Sequence, residues 1–513
     1  MNKKVIQSKT VTRAPIVVIM GHIDHGKSTL LDHIRKSNIV ASEAGGITQA
    51  VSAYEVSEPY KITFIDTPGH AAFCGMRGRC AEIADIAVLI VSAEDGVKPQ
   101  TVEALKAIHQ SEIPFIVAIN KIDRPTANIE RTKQQLAEIE VLVEGYGGTI
   151  PVVMLSAKTG ENISDLLEMI NLVAELEDFQ MDPKLPGEGV VLETNLCPKT
   201  GVAATLIIKN GTVNLGDWLV ATSPNEGGTL AKIKRLNNFL GQAELKLSAS
   251  SPAQVIGWNE PPTVGATFKT YRNKKDAEQA MMEAKNGSAR GSTLGILKVE
   301  PRAPNAIEIP ILIKAAVAGS LDAMEHEINK LSTAVVGLKI IQRDVGQVTE
   351  NDVKLAAGSS RSSGDSRDSL ILGFNVKIDK SAAELAEKLG VKIVTDEIIY
   401  KLSEWLEIEI AHRTPTQEIE QSLGRAKLLK IFGDSKGKQI IGGAVTEGHI
   451  VDSKLFKIWR RETEIGRGKI TELQQQKIKV KEVPQDSQFG ALVEAKVTLA
   501  AGDMLEVFDL VTK

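Results

Sequence analysis

The first third of the chain alternates short apolar runs with stretches that carry apolar residues at helical spacing. The apolar runs are rich in β-branched residues and end in polar turns, which is typical of buried strands. They cover residues 16–20, 62–65, 115–119 and 152–155, and the helical stretches include 101–110 and 129–143. This alternation predicts a doubly wound, mainly parallel sheet over residues 14–178, preceded by a short tail, residues 1–13.

The pattern changes after the linker-like residues 183–187. Short strand runs separated by Asn and Gly turns predict a β-barrel over residues 187–270. Residues 271–304 are expected to form a helix and a Gly-, Ser- and Pro-containing linker. Strand and helix patterns then alternate again, which predicts a second, three-layer α/β domain over residues 305–396. Inside it, the Ser-rich stretch 358–369 indicates a mobile surface loop.

The last quarter of the chain combines one helical pattern with a second all-β pattern. Apolar residues recur at helical spacing in residues 397–424, which predicts a long connecting helix. Short strands and glycine turns in residues 425–513 predict a C-terminal β-barrel. The expected fold is therefore multidomain: an α/β phosphate-loop domain, a β-barrel, an α/β domain, a connecting helix and another β-barrel.

Composition agrees with several globular domains and gives little direct information about function. A chain of 513 residues is too long for one core, and 42% hydrophobic with 25% charged residues are globular values. A net charge of −4 does not indicate nucleic-acid binding by the whole chain. The three cysteines lack metal-site spacing, and no apolar run is long enough to span a bilayer, so we expect a cytoplasmic protein without a membrane partner.

The loop after the first predicted strand reads Gly21-His-Ile-Asp-His-Gly-Lys-Ser-Thr29 and precedes a helical pattern. This is the phosphate-loop pattern G-x-x-x-x-G-K-[ST] in the strand–loop–helix setting that it requires. Gly21 and Gly26 allow backbone N–H groups to point at an anion, and the following helix adds its positive end. Lys27 would contact the β- and γ-phosphates, and the Ser28 hydroxyl would ligate Mg²⁺.

Three further polar motifs each follow a predicted strand. Asp66 can hold Mg²⁺ through a water, and Gly69 can offer its N–H to a γ-phosphate. In Asn120-Lys-Ile-Asp123, the carboxylate can accept two hydrogen bonds from guanine that adenine cannot supply. Ser156-Ala-Lys158 would complete the base pocket. Asn-Lys-Ile-Asp alone is more often an ordinary polar turn than a base-binding motif, but four motifs in this order predict a GTP-binding domain.

Further motifs extend these four along the chain. They read Glu43-Ala-Gly-Gly-Ile-Thr-Gln49, Asp66-Thr-Pro-Gly-His-Ala-Ala-Phe73, Gly189-Val-Val-Leu-Glu193, Leu372-Gly-Phe-Asn-Val376 and Val445-Thr-Glu-Gly448. Together with the phosphate loop, the chain resembles bacterial translation initiation factor 2 over nearly its whole length. Because only about a dozen residues precede the first predicted strand, we expect a form that lacks the family's long N-terminal extension.

The resemblance implies a ribosome-stimulated GTPase that uses Mg²⁺ and converts GTP and water to GDP and phosphate. His70 would position the water after passing an apolar gate that Ile23 and Ile47 match. Thr48 would ligate Mg²⁺ with Ser28 and Asp66, and Asp24 matches a position implicated in binding a monovalent cation. The predicted nucleotide-binding residues are Gly21, His22, Ile23, Asp24, His25, Gly26, Lys27, Ser28, Thr29, Asp66, Gly69, Asn120, Lys121, Asp123, Ser156, Ala157 and Lys158.

The C-terminal barrel departs from the family in the region that recognises the formylmethionyl end of initiator tRNA. The family's cysteines and its basic–aromatic run are absent at the matching positions. The residues there that could form a rebuilt pocket are Gly443, Gln474, Gln475, Gln476, Gln488 and Phe489. Residues 427–483 contain thirteen Lys and Arg against seven Asp and Glu, which favours a local surface that contacts RNA backbone.

Two classes of function agree with these patterns. The first is an initiation GTPase, a monomer that positions initiator tRNA on the small ribosomal subunit and promotes joining of the two subunits. The second is a GTP-switched ribosome- or RNA-binding regulator that does not recognise the amino acid. An elongation-type tRNA carrier is disfavoured because the α/β segment at 307–394 has no place in that architecture.

Overall fold

A computed structural model describes residues 10–35, 49, 51–197, 200–224, 227–288, 307–333, 336–362, 369–413, 418–435, 438–461 and 463–512. The chain divides into two compact units, Met1–Ala411 and His412–Lys513. The first unit contains three successive assemblies of strands and helices, and the second contains one all-β assembly.

The first assembly is a six-stranded sheet between helices, with strand order β3-β4-β2-β5-β6-β7. Its elements are β1 (Val11–Thr12), β2 (Ile16–Gly21), α1 (Lys27–Arg35), β3 (Ser52–Val56), β4 (Ile62–Asp66), α2 (Cys74–Ile83), β5 (Ile86–Ser92), α3 (Pro99–Gln110), β6 (Phe115–Asn120), α4 (Ile129–Glu138), β7 (Val152–Met154), α5 (Ile163–Glu177) and β8 (Gln180–Met181). Only β3 runs antiparallel to its neighbour, so the predicted mainly parallel sheet is confirmed.

Both faces of this sheet are covered, which explains why its strands are continuous apolar runs. Along β2, Ile16 and Val18 pack into one core cluster, whereas Val17 and Ile19 pack into the cluster on the opposite face. The predicted helix 129–143 is too long, because α4 ends at Glu138. Glu140 has a φ of 66°, a left-handed conformation that a helix cannot continue through.

The second assembly is a closed barrel with strand order β10-β15-β13-β12-β16-β9, as predicted for residues 187–270. Its elements and the helix that follows are β9 (Glu188–Cys197), β10 (Gly201–Asn210), β11 (Thr212–Asn214), β12 (Trp218–Ser223), β13 (Gly227–Asn237), β14 (Lys246–Ser248), β15 (Pro252–Trp258), β16 (Thr267–Tyr271) and α6 (Lys274–Ser288). A buried ionic contact joins it to the first sheet, because Asp85 accepts from Arg13 and, at 2.9 Å, from Lys209.

The third assembly is a four-stranded parallel sheet with strand order β18-β17-β19-β20. Its elements and the helix that follows are β17 (Ile307–Ala315), α7 (Ala318–Leu331), β18 (Val336–Val345), α8 (Glu350–Ser362), β19 (Leu370–Phe374), α9 (Lys380–Leu389), β20 (Lys392–Asp396) and α10 (Ile399–Arg413). Apolar clusters cover both of its faces, which makes it the predicted three-layer α/β domain.

Two predictions in this region are wrong in part. The Ser-rich stretch 358–369 is not all loop, because α8 continues to Ser362, and buried Ser369 donates to the carbonyl oxygen of Ala356 at 2.5 Å. Residues 363–368 lie outside the described residues. The connecting helix does not reach residue 424, because α10 ends at Arg413 and a strand begins at Glu418. Pro415 follows in the sequence, and proline cannot donate the backbone hydrogen bond that a longer helix would need.

The second unit is an antiparallel barrel, as predicted for residues 425–513. Its strands are β21 (Glu418–Ser435), β22 (Lys438–Val451), β23 (Leu455–Arg460), β24 (Thr463–Gln475), β25 (Ile478–Lys479), β26 (Glu482–Pro484), β27 (Gln488–Ala495) and β28 (Met504–Thr512). The order β21-β28-β23-β24-β27-β22 is closed by pairing between β21 and β22. Within the described part of the chain, no helix has the length and apolar character needed to cross a membrane.

Candidate nucleotide-binding site

The phosphate-loop residues connect β2 to α1 and pack directly on neighbouring backbone. Gly21 has a φ of 148°, and a Cβ atom there would lie 2.4 Å from the carbonyl oxygen of Ile90 in β5. Gly26 has a φ of 88°, and a Cβ atom there would lie 2.3 Å from Nδ2 of Asn120. Only glycine fits at both positions. The loop is therefore fixed between two strands, with the N-terminus of α1 directed at the space in front of it.

Lys27, the first residue of α1, is buried beneath this loop. Its Nζ donates to the carbonyl oxygens of Gly21, at 3.1 Å, and His22, at 2.6 Å. Burial lowers the pKa of Lys27 to about 8, although the nearby Asp66 acts in the opposite direction. The ammonium therefore remains mostly protonated at neutral pH. A buried cation that is satisfied mainly by carbonyl oxygens is well placed to bind the phosphates of a nucleotide.

Gly69 brings the Asp66–Gly69 segment against the same lysine. A Cβ atom at Gly69 would lie 2.5 Å from Nζ of Lys27 and 3.1 Å from the backbone nitrogen of Ile23. Asp66, at the end of β4, is buried. The second motif therefore lies against Lys27 and the phosphate-loop backbone.

Asn120 connects the phosphate loop to the Ser156–Lys158 loop. Its Nδ2 donates to the carbonyl oxygen of His25 at 2.8 Å, and its Oδ1 accepts from the backbone nitrogen of Ala157 at 2.9 Å. The Ser156 hydroxyl donates to the carboxylate of Asp123 at 2.7 Å, and this hydrogen bond lowers the pKa of Asp123. Lys121 turns through a left-handed conformation and pairs with Asp95 at 3.3 Å. An oriented carboxylate whose charged form is favoured thus lines the same cavity as Lys27.

These loops enclose one cavity of about 340 Å³. Most of the predicted residues line it, namely Ile23, Asp24, Gly26, Lys27, Ser28, Thr29, Gly69, His70, Asn120, Lys121, Asp123, Ala157 and Lys158. Arg124 also lines it and was not predicted; its position directly after Asp123 in a polar turn is the only sequence signal.

The remaining predicted residues lie behind or beside the cavity: Gly21, His22, His25, Asp66 and Ser156. His25 is buried against the Ile90 carbonyl oxygen and the Ser92 backbone nitrogen, each 3.3 Å from its Nδ1. Burial lowers the pKa of His25 to about 3, so the imidazole is neutral. It packs the phosphate loop against β5.

The donors suit Mg²⁺ by their chemistry, since the Ser28 hydroxyl and the Asp66 carboxylate are hard oxygen ligands. Thr48, the third predicted ligand, and Ile47, one side of the predicted gate, lie outside the described residues. Among the residues that are described, no group of three or more His, Cys, Asp or Glu side chains could hold a metal ion alone.

His70 lies at the edge of the cavity with only 9% of its surface exposed. Its Nδ1 accepts from the backbone nitrogen of Ala72 at 3.1 Å, and its carbonyl oxygen accepts from Arg77 at 2.5 Å. Burial lowers the pKa of His70 to about 4. The ring is therefore neutral at pH 7, and because Nδ1 accepts, the proton is on Nε2.

The start of α10 is distant in sequence from His70 and Gln49, yet it contacts both of them. The ring of Tyr400, in α10, meets that of His70 edge to face with centroids 4.1 Å apart. Gln49 donates to the carbonyl oxygen of Glu397 at 2.9 Å and accepts from the backbone nitrogen of Ile399 at 3.3 Å. No local pattern could have indicated either contact, since Tyr400 follows His70 by hundreds of residues.

A second cavity, of about 730 Å³, lies in the C-terminal barrel. All six candidates for binding the tRNA end line it: Gly443, Gln474, Gln475, Gln476, Gln488 and Phe489. Phe489 is only 5% exposed and packs against Gly443, so most of its ring belongs to the core of the barrel. Phe432, 63% exposed at the same cavity, was not predicted, although it stands outward among the alternating residues of β21.

Comparison with known families agrees with the order of these assemblies. The family model described as "Elongation factor Tu GTP binding domain" matches residues 12–175, and the model "Translation-initiation factor 2" matches residues 285–407. A solved structure, GDP-bound aIF5B from Aeropyrum pernix, is 25% identical, with a TM-score of 0.45, covering 97% of this chain and 92% of that one.

Two curated relatives match nearly the whole chain. The chloroplastic translation initiation factor IF-2 of Rhodomonas salina is 38% identical over 98% of the chain, which covers 66% of that protein. The translation initiation factor IF-2 of Bacillus licheniformis is 38% identical over 97% of the chain, which covers 69% of that protein. The chain thus spans about two thirds of the length of these relatives. Since the match runs through all four assemblies, the chain belongs to the translation initiation factor 2 family.

Proposed function

We propose that the chain is a translation initiation GTPase that binds GTP with Mg²⁺ and hydrolyses it on the ribosome. The observation that carries this proposal is the cavity in which Lys27 faces the phosphate side and the Ser156-bound Asp123 faces the base side. Membership of the family supports the same assignment.

The predicted residues have two kinds of role at this site. Those that line the cavity would contact the nucleotide, and Gly21, His22, His25 and Ser156 would hold the loops in place. Ser28 and Asp66, with Thr48, would hold Mg²⁺, which neutralises phosphate charge when bound. Asp24, with a φ of 62°, lines the phosphate side and is the candidate for a monovalent cation.

His70 is the proposed catalytic residue. Since its Nδ1 is occupied by the Ala72 N–H, its Nε2–H is the group that can orient a water molecule. A neutral imidazole in this tautomer positions the water and does not act as a strong base. Gly69, adjacent to His70, would at the same time present its N–H to the γ-phosphate.

The C-terminal barrel is the proposed site for initiator tRNA. The positive surplus of residues 427–483 supports contact with the RNA backbone. The cavity beside Phe432 combines an exposed aromatic ring with the glutamines at 474–476, groups that suit a thioether and a formamide. The partners would be both ribosomal subunits and initiator tRNA, and the protein a cytoplasmic monomer.

The alternative remains a GTP-switched ribosome- or RNA-binding regulator that does not recognise the amino acid. The absence of the family's cysteines and basic–aromatic run from the C-terminal barrel supports this alternative. Binding of formylmethionyl-tRNA and of uncharged initiator tRNA to the full chain separates the two functions. Tighter binding of the formylmethionyl form supports initiation, whereas equal binding supports the regulator.

GTP hydrolysis by the full chain, with and without ribosomes, tests the enzymatic part of the proposal. ATP serves as the control nucleotide because Asp123 cannot pair with adenine in the same way. Ribosome-dependent release of phosphate from GTP but not from ATP is the expected result. An equal rate for the two nucleotides, or no stimulation by ribosomes, would contradict it.

A further inference from the structure

The side chain of His70 is held from two sides in this structure. The Ala72 N–H fixes its Nδ1 at 3.1 Å, and the Tyr400 ring covers it with a centroid distance of 4.1 Å and an interplanar angle of 77°. Phe73 adds a second edge-to-face contact at 6.0 Å. To turn toward a water molecule at the γ-phosphate, the imidazole would have to leave the Tyr400 ring, because aromatic contacts of this kind depend on orientation.

The same helix start that carries Tyr400 is also bound to the segment before β3. The side-chain amide of Gln49 makes one hydrogen bond to Glu397 and one to Ile399, on both sides of the beginning of α10. Gln49 is the neighbour of Thr48 in the sequence. The start of α10 therefore contacts both chain segments that are expected to border the γ-phosphate.

We propose that Tyr400 is a positioning residue that holds His70 in a resting orientation and so keeps GTP hydrolysis slow until the start of α10 moves away. This inference rests on the proposed catalytic role of His70. The hydrogen bonds of Gln49 to Glu397 and Ile399 would have to break or shift in that movement. The contact therefore slows hydrolysis, because the rate depends on the small fraction of molecules in which the His70 imidazole has left the Tyr400 ring.

Burial of His70 gives this arrangement a measurable signature. Desolvation lowers the pKa of His70 to about 4; Lys330 on α7 and Arg77 on α2 act in the same direction, whereas Glu327 on α7 and Glu103 on α3 raise it by smaller effects. Removal of the Tyr400 ring would return water to the imidazole. The pKa of His70 should then rise toward its ordinary value of about 6.5.

The test measures GTP hydrolysis without ribosomes and the pKa of His70 by NMR, both on the full chain. Tyr400→Ala should raise the ribosome-free rate about three- to tenfold, the effect of losing one aromatic contact. Tyr400→Leu, which keeps apolar volume without a ring, should do the same. Tyr400→Phe, which keeps the ring, should hydrolyse GTP at the wild-type rate. Tyr146→Ala is the matched control, because Tyr146 is also 37% exposed and lies in the loop between α4 and β7.

The double variant His70→Ala/Tyr400→Ala shows whether the effect passes through His70. We expect no rate increase in it. A rate increase that persists without His70, or a ribosome-free rate of folded Tyr400→Ala and Tyr400→Leu equal to that of the wild type, would overturn the inference. If His70→Ala hydrolyses GTP normally on ribosomes, the proposed function of His70 fails. If His70→Ala is slow but the Tyr400 variants hydrolyse GTP at the wild-type rate, only the positioning role of Tyr400 is refuted.

Discussion

The hydroxyl of Ser156 donates a hydrogen bond of 2.7 Å to the carboxylate of Asp123, although the two residues belong to different loops. The bond leaves the rest of the carboxylate exposed toward the cavity and lowers its pKa. Because the charged form is favoured, Asp123 can accept hydrogen bonds only. That property distinguishes guanine, whose facing edge carries donors, from bases that present an acceptor there.

Asp123→Asn should change the nucleotide preference from guanine to xanthine. The amide can donate to the extra carbonyl of xanthine, while it loses a charge-assisted bond to guanine worth about 1.5–3 kcal/mol. Competition between GDP, XDP and ADP in equilibrium binding measures the change. Ser156→Ala is the control that keeps the carboxylate, and it should weaken GDP binding without creating affinity for XDP. Equal affinity of the wild type for GTP and ATP would contradict the assignment.

Gly26→Ala should abolish tight nucleotide binding. A Cβ atom at Gly26 would meet Nδ2 of Asn120 at 2.3 Å and displace the bond from Asn120 to His25. Gly145→Ala is a matched control, because Gly145 has a similar φ of 74° but nothing within 4 Å of the added atom. Both variants carry backbone strain of about 1 kcal/mol or more, so thermal melting should shift in both. Retained GDP affinity in Gly26→Ala would show that the loop tolerates displacement.

His70→Ala should leave the affinity for GTP and GDP nearly unchanged, because the side chain orients water and not phosphate. Ribosome-stimulated hydrolysis should fall by about 10² or more, in keeping with the loss of a positioning group. Single-turnover hydrolysis on ribosomes measures the rate, and equilibrium binding serves as the control. A wild-type rate on ribosomes would remove His70 from catalysis.

Phe432→Ala should weaken binding of formylmethionyl-tRNA but not of uncharged tRNA. The exposed ring can bury the methionine side chain, an effect of about 1–3 kcal/mol that salt does not screen. Contacts of the barrel with tRNA phosphates should make the logarithm of the affinity fall with the logarithm of the salt concentration, with a slope of about 0.7–0.9 per contact. This slope should be the same for the wild type and for Phe432→Ala. Phe489→Ala is less informative, since its ring is part of the core. Superimposed salt titrations of the two tRNAs on the wild type would indicate the regulator.

Asp85→Asn should destabilise the first unit by about 3–5 kcal/mol, because it leaves buried Arg13 without its carboxylate partner. Burial alone would raise the pKa of Asp85, but Arg13 and Lys209 hold it below the usual value. A depressed carboxyl pKa stabilises the fold above the unfolded-state pKa of about 3.9 and loses that effect as the pH falls through the folded-state pKa.

The difference in stability between wild type and Asp85→Asn should therefore shrink below about pH 4, as Asp85 becomes protonated. Denaturant unfolding at several pH values measures it. Glu188→Gln is the control, since Glu188 and Lys269 form an exposed pair that should contribute at most about 1 kcal/mol. A loss for Asp85→Asn no larger than that of the control would show that the buried contact is not stabilising.

Local sequence patterns were sufficient to predict which segments form sheets and where the nucleotide loops lie. Residues 16–20 of β2 and 115–119 of β6 are apolar at every position because both faces of a parallel sheet are covered. The loops that end such strands meet at one edge of the sheet, so four motifs in chain order were enough to predict one site. Local spacing carried this information, and the cavity contains most of the predicted residues.

Packing between segments distant in sequence determines which of these residues face the cavity and what holds them in place. His25 and Phe489 belong to predicted sites, yet their side chains are buried, because burial depends on distant strands that sequence spacing does not place. The continuation of α8 into the Ser-rich stretch likewise depended on contacts such as that of Ser369 with Ala356. The contact of His70 with Tyr400 joins residues from different assemblies. No local pattern specifies such a contact, since it arises only when the assemblies pack together.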